Sequence, residues 1–130
     1  MPEIRDINSR KDIELLVNSF YKKVLKDDII GFIFNDVVRL NWEKHIPIMY
    51  DFWESTLFQR TIYRGNPMQI HLELNEKIPL KKVHFDQWLK IFNETVDCFF
   101  SGEKAELAKT RALSIATVMQ IKIYQAEHRN

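Results

Sequence analysis

Three glycines in 130 residues leave this chain few places to turn sharply. Gly31, Gly65 and Gly102 are its full complement, where a globular chain averages about 7% glycine. Glycine-rich phosphate loops and dinucleotide fingerprints are therefore absent. An all-β fold, which needs many tight turns, is disfavoured for the same reason. Aromatic residues are plentiful instead, with nine Phe, three Trp and four Tyr. Few turns and many large flat side chains point to long helices around an aromatic core.

Hydrophobic periodicity marks four such helices. From about Ser9 to Lys26, Ile13, Leu16, Val17, Phe20, Tyr21 and Val24 recur at helical spacing, with Ser9 and Asp12 as an N-terminal capping pair. The acidic pair Asp27 and Asp28 interrupts, and a short apolar stretch follows around Gly31. A second segment, from about Trp42 to Gln59, carries Trp42, His45, Met49, Phe52, Trp53 and Leu57 on one stripe, with Asn41 as cap. Pro47 is tolerated only in a first helical turn, so the regular helix is expected to begin near Glu43 to His45. Periodicity fails from Tyr63 to Lys82, where Gly65, Asn66, Pro67 and Pro79 signal turns. One helical turn is expected near Met68 to Leu72 inside this connection, and a connection this long is often functional. The third helix is expected from about His84 to Phe100, with Phe85, Trp88, Leu89, Phe92 and Val96 facing inward and Ser101 and Gly102 ending it. The last covers about Glu103 to Ala126, with Ala108, Ala112, Ile115, Ala116, Met119 and Ile123 inward. No repeat, low-complexity tract or linker divides residues 1–130, so a single all-α domain is expected.

Charge narrows the partners. Nineteen Lys and Arg against 18 Asp and Glu give a formal net charge of +1, which supplies no bulk attraction to nucleic acid or to an anionic membrane. No apolar run approaches the ~18 residues of a membrane span. Pro2, Glu3, Arg5 and Asp6 leave no signal-peptide core. The single cysteine, Cys98, allows neither an internal disulfide nor a multi-cysteine metal site. It lies beside the apolar stripe of the third helix and reads as a small core residue. A cytoplasmic protein is expected.

Of the four histidines, His128 lies in the terminal tail and His84 opens the third helix, where a capping or surface role suffices. His45 sits on the apolar stripe of the second helix, and His71 sits between Ile70 and Leu72 in the irregular stretch. Their separations match no zinc pattern. A lone His among apolar residues is more often a hydrogen-bonded core residue than a metal ligand. Haem is the cofactor that needs a single protein ligand, because the porphyrin supplies four nitrogens and a proximal His the fifth bond. The remainder of a haem site is a flat apolar slot. An aromatic stripe is more often core than cofactor box, so composition permits haem without establishing it.

In order along the chain stand Phe20-Tyr21, Ile33-Phe34-Asn35, Trp42-Glu43-Lys44-His45, Phe52-Trp53, Tyr63-Arg64-Gly65-Asn66-Pro67, His71-Leu72, His84-Phe85, Trp88-Leu89, Arg111-Ala112 and Ile115-Ala116. By this order and spacing, residues from about Ile13 to Met119 resemble the truncated haemoglobins of the third group, also called the P group. The resemblance implies a shortened globin, two helix pairs sandwiching a haem b, with the proximal helix reduced to a turn in a loop. It makes His71 the proximal iron ligand. It makes Tyr21, Trp88 and His45 the distal residues, and Phe34, Met49, Phe52 and Trp53 haem contacts, with Ile70, Leu74, Phe85 and Phe92 as further walls. Arg64 and Lys44 are candidates to meet the haem carboxylates. Two departures stand out. The family usually has a proline where Phe32 stands, so the corner after the first helix is expected to be built differently. Pro47 would start the second helix late and turn His45 towards solvent.

The function so implied is reversible binding of O2 and other small ligands, among them NO, CO, cyanide and sulfide, with oxygen transport as one use. A second reading keeps the fold and makes it an enzyme, a peroxidase or a nitric oxide dioxygenase served by a separate reductase. A third is a haem-free helical module that senses or binds a partner, since fold alone does not fix function. No residue is singled out as catalytic in its own right.

Overall fold

The computed structural model describes residues 4–33, 42–60 and 80–128. Four helices run through them: α1 Arg10–Lys26, α2 Trp42–Phe58, α3 Lys82–Phe99 and α4 Glu103–Glu127. Helix α1 packs on α2 and α3, and α4 packs on α3 and α2. Two helix pairs thus cross face to face, which is the expected all-α, two-over-two sandwich. Among the described residues no helix is long and apolar enough to cross a membrane.

The stripes read from periodicity are the faces that become buried. Ile13, Leu16, Val17, Phe20 and Val24 of α1 close on Trp53 and Leu57 of α2 and on Ile91, Phe92 and Val96 of α3. Ala105, Ala108 and Ala112 of α4 join the same cluster. Their small side chains let α4 approach closely. Further along α4, Ala116, Met119 and Ile123 bury Phe85 in a second cluster, and Trp88 and Leu89 border both.

Helix ends are fixed by polar groups. The Ser9 side chain accepts the Asp12 N–H at the start of α1. At its end the Asp27 carboxylate accepts the N–H groups of Ile29 and Ile30, both at 2.9 Å, and the Gln87 amide at 2.7 Å. This carboxylate fixes the corner after α1, and Phe32 is exposed there. Gly31 suits the close approach there, because a Cβ would lie 3.0 Å from the Leu25 carbonyl oxygen. Lys81 N–H donates to His84 Nδ1 at 2.9 Å, so His84 does cap α3, which begins at Lys82, two residues earlier than periodicity suggested.

Two expectations are corrected. Helix α2 begins at Trp42 and carries Pro47 in its second turn, not its first. The proline removes the bond to the Glu43 carbonyl without ending the helix. Cys98 is exposed and is not a core residue. Two positions beyond Val96 on a helix is about 200° around the axis, which points the thiol away from the stripe.

Candidate functional site

Helices α1, α2 and α3 bring a continuous set of rings together. Phe20 and Tyr21 are neighbours on α1, and their rings meet edge-on at 5.0 Å. Phe20 is also edge-on to Trp88 at 5.6 Å and to Phe92 at 5.3 Å, both on α3. Phe92 stacks on Trp88 at 5.9 Å and on Trp53 of α2 at 5.1 Å, so it lies between two near-parallel indoles. Phe52 is edge-on to Trp53 at 5.1 Å. Phe20 and Phe92 therefore link all three helices, and Phe20, read from the sequence as a stripe residue of α1, has this linking part in addition. Offset and edge-on ring pairs of this kind add about 0.5–1.5 kcal/mol each beyond their burial.

The polar members sit on this wall. Tyr21 is half-buried, and desolvation pushes its phenol well above the usual tyrosine range. The hydroxyl thus stays protonated as an O–H group at any ordinary pH. The His45 ring lies edge-on to Tyr21 at 5.9 Å. Pro47 has not turned His45 out to solvent; the histidine is half-buried. Met49 and Phe52, one and two turns further along α2, are partly buried against the same core. Lys44 is exposed next to His45.

Of the residues singled out in the sequence, Tyr21, His45, Met49, Phe52, Trp53, Trp88 and Phe92 thus share one aromatic region. Phe85 packs instead with α4, with Trp88 alongside. Phe34, Ile70, His71, Leu74 and Arg64 lie outside the described residues. The joint between α1 and α2, which sets Tyr21 against His45, has a polar staple that sequence reading missed. Arg10 pairs with Asp51 at 2.8 Å and with the buried Glu54 at 3.6 Å, and Arg60 reaches Glu54 at 3.5 Å. Nothing in the helical pattern distinguishes Glu54 from any solvated acid; one of its arginines comes from α1 and the other from just past the end of α2.

Residues 6–124 match the family described as bacterial-like globin. The chain belongs to that family. Within it this globin stands with the group III truncated haemoglobins. It is 31% identical over 120 residues to the group 3 truncated haemoglobin of Campylobacter jejuni, covering 90% of this chain and 92% of that one. Its fold is similar to the crystal structure of the group III truncated haemoglobin from Campylobacter jejuni, with a TM-score of 0.80 and 28% identity. That match covers 95% of this globin and 98% of the solved chain.

Proposed function

We propose that this globin is a haem protein that reversibly binds O2 and other small ligands, with His71 as the protein's ligand to the iron. The placement of the Tyr21 phenol, edge-on to Phe20 and to His45, carries the reading. The phenol is an O–H donor set on an otherwise apolar ring wall with an imidazole against it. Those surroundings suit a porphyrin: flat apolar side chains from three helices, with few polar groups among them. A b-type haem fits best, because a single cysteine cannot make the paired thioether attachment of c-type haem.

When bound, the haem supplies a ferrous iron with a coordination position open to a small ligand. The chain's own residues then decide how long the ligand stays. The Tyr21 hydroxyl and the Trp88 indole N–H are donors suited to a ligand that carries partial negative charge. Each is worth about 1–3 kcal/mol in a dry pocket, and most of that slows release. The ring wall of Phe20, Trp53 and Phe92 excludes water and keeps these bonds strong. His45, against Tyr21, fixes the phenol from the side of α2.

An absorption spectrum tests this: oxidised, then reduced, then exposed to carbon monoxide. An intense Soret band that shifts at both steps is expected. The absence of that band after one equivalent of hemin would overturn the reading. His71→Ala is expected to lose the stable haem spectrum, and a variant that keeps it would move the iron ligand to another residue.

A further inference from the structure

Tyr50 of α2 grips α1 at two points. Its hydroxyl donates to Asn18 Oδ1. Its ring lies against the guanidinium of Arg10, the first residue of α1, at 5.4 Å from the ring centroid. The same guanidinium is held by Asp51, next to Tyr50 on α2, at 2.8 Å. The contacts between the two helices then succeed one another along one antiparallel seam. Arg10 meets Asp51 and Glu54, Asn18 meets Tyr50, and Tyr21 meets His45. A single contact lets two helices swing about it, and a second contact further along removes that freedom. Tyr21 is about three turns from Arg10, or about 16 Å along the helix axis. A swing of about 5° about the Arg10 end would therefore carry the Tyr21 phenol more than about 1 Å, enough to break a hydrogen bond. Asn18 is one turn from Tyr21, so a tie at Asn18 takes up that swing beside the phenol. Ring packing resists sliding less well, because apolar contact is non-directional.

We propose that Tyr50 is a positioning residue for the ligand's donor: through Asn18 and Arg10 it fixes how α1 crosses α2, and so where the Tyr21 hydroxyl stands. The proposal rests on the reading of this region as a haem pocket for small ligands. Tyr50 is a partly buried residue at the edge of the core and is not itself one of the ligand's donors. It acts on the ligand through Tyr21, so its loss costs no more than the loss of the Tyr21 hydroxyl. The seam also divides the labour along α1. The Arg10 staple holds the end remote from the pocket, and the Asn18 tie holds the end that carries the donor.

Tyr50→Phe keeps the ring against Arg10 and deletes the tie to Asn18. In the haem-loaded full chain it is expected to quicken oxygen release about two- to tenfold, the range of one net hydrogen bond, and by less than Tyr21→Phe does. The C–O stretch of the carbon monoxide complex, which reads the donor's approach to the ligand, is expected to move towards that of Tyr21→Phe. Asn18→Leu, at an exposed position whose change should leave the fold intact, is expected to reproduce both effects. The deciding variant combines Tyr21→Phe with Tyr50→Phe. It should release oxygen at the rate of Tyr21→Phe alone, because a residue that acts through another adds nothing once the other is gone. An unchanged release rate in Tyr50→Phe or in Asn18→Leu overturns the proposal. So does a double variant that is faster than Tyr21→Phe by the full Tyr50→Phe factor, which would make Tyr50 a general support of the fold. A chain with no Soret band after hemin is added fails earlier, at the haem reading, and takes the proposal with it. A normal Soret band with an unmoved release rate overturns the positioning role alone.

Discussion

The N-terminal strap and the ring wall are held together by different physics. In the strap, residues 5–12, Ile7 is buried in the core, and the links around it are directed polar bonds. Arg5 forks onto Asp12 with two contacts of 2.8 Å, and Ser101 N–H donates to the Arg5 carbonyl at 3.0 Å. The Asp6 carboxylate accepts the N–H groups of Ile7, Lys104 and Ala105 at 2.8–2.9 Å, which caps α4 with a residue from the far end of the chain. In the wall the links are rings, stacked or edge-on, from Tyr21 through Phe20 and Phe92 to Trp53. Directed bonds fix an end but use up its polar groups. Ring packing fixes a site without using hydrogen-bond donors. Strap variants should therefore change stability alone, while wall variants should separate stability from ligand kinetics.

The largest effect is expected from Phe92→Ala. Phe92 is fully buried between two indoles and beside Phe20, and emptying such a site costs about 3–5 kcal/mol. Urea unfolding would measure it, and a loss below about 1 kcal/mol would mean the wall is not the core of the sandwich. Tyr21→Phe comes next and sharpens the comparison from the other side. It keeps the ring contacts with Phe20 and His45 and deletes the hydroxyl. Oxygen release followed by stopped flow should quicken by about 5- to 150-fold, the kinetic equivalent of the 1–3 kcal/mol donor. An unchanged rate would remove Tyr21 from ligand stabilisation.

Asp6→Ala should cost about 1–2 kcal/mol through loss of the α4 cap, with oxygen release unchanged. A shift in the release rate would show that strap and wall are coupled. Gly102→Ala attacks the same cap from the backbone. Gly102 has φ of +144°, and an added Cβ would lie 2.6 Å from the Asp6 carboxylate carbon. The strained conformation alone costs about 1–3 kcal/mol, so the two substitutions together should cost less than their sum, because both release the same carboxylate.

Much of the sandwich was legible in the sequence, because four segments repeat their apolar residues at the helical period and that period selects the buried face directly. The alanine face of α4 and the stripe of α1 are examples. What failed was chemistry that periodicity does not encode. Asp6 caps a helix from the other end of the chain, and no local pattern announces it. Glu54 is buried because Arg10 and Arg60 reach it from other turns. Pro47 is accommodated inside α2 because it and Glu43 lie on the exposed side of that helix, where a carbonyl without its helical partner can meet water. The site was legible in a different way. Tyr21, His45 and Trp88 stood out by resemblance to a family, whereas their residue types alone could not separate a ligand wall from ordinary core. Phe20 was legible as a core position on the stripe of α1, but its linking role was not, since a phenylalanine on an apolar stripe is ordinary core.

Acid should loosen the molecule in two stages, at the starts of α3 and α1. His84 has its pKa lowered, first by burial and then by Lys81. A folded-state value below the unfolded one means that the unfolded chain binds the proton more tightly. The neutral form accepts the Lys81 N–H that starts α3, so this contribution is complete above the unfolded value of 6.5 and is lost as pH falls through the folded value. Asp12 has its pKa lowered first of all by the Arg5 hydrogen bond. Its contribution is complete above the unfolded value of 3.8 and is lost only at lower pH, as the Arg5 pair breaks. The Tyr21 phenol offers no step in this range, because it is moved upward, away from it. Unfolding free energy measured against pH should therefore fall in two stages. His84→Gln should flatten the upper stage and Asp12→Asn the lower, each leaving the other in place. If Asp12→Asn left the lower slope intact, the acid sensitivity would lie in another carboxylate, and the Asp27 corner, also held with a lowered pKa against its burial by the Ile30 N–H and Gln87, would be the next to change.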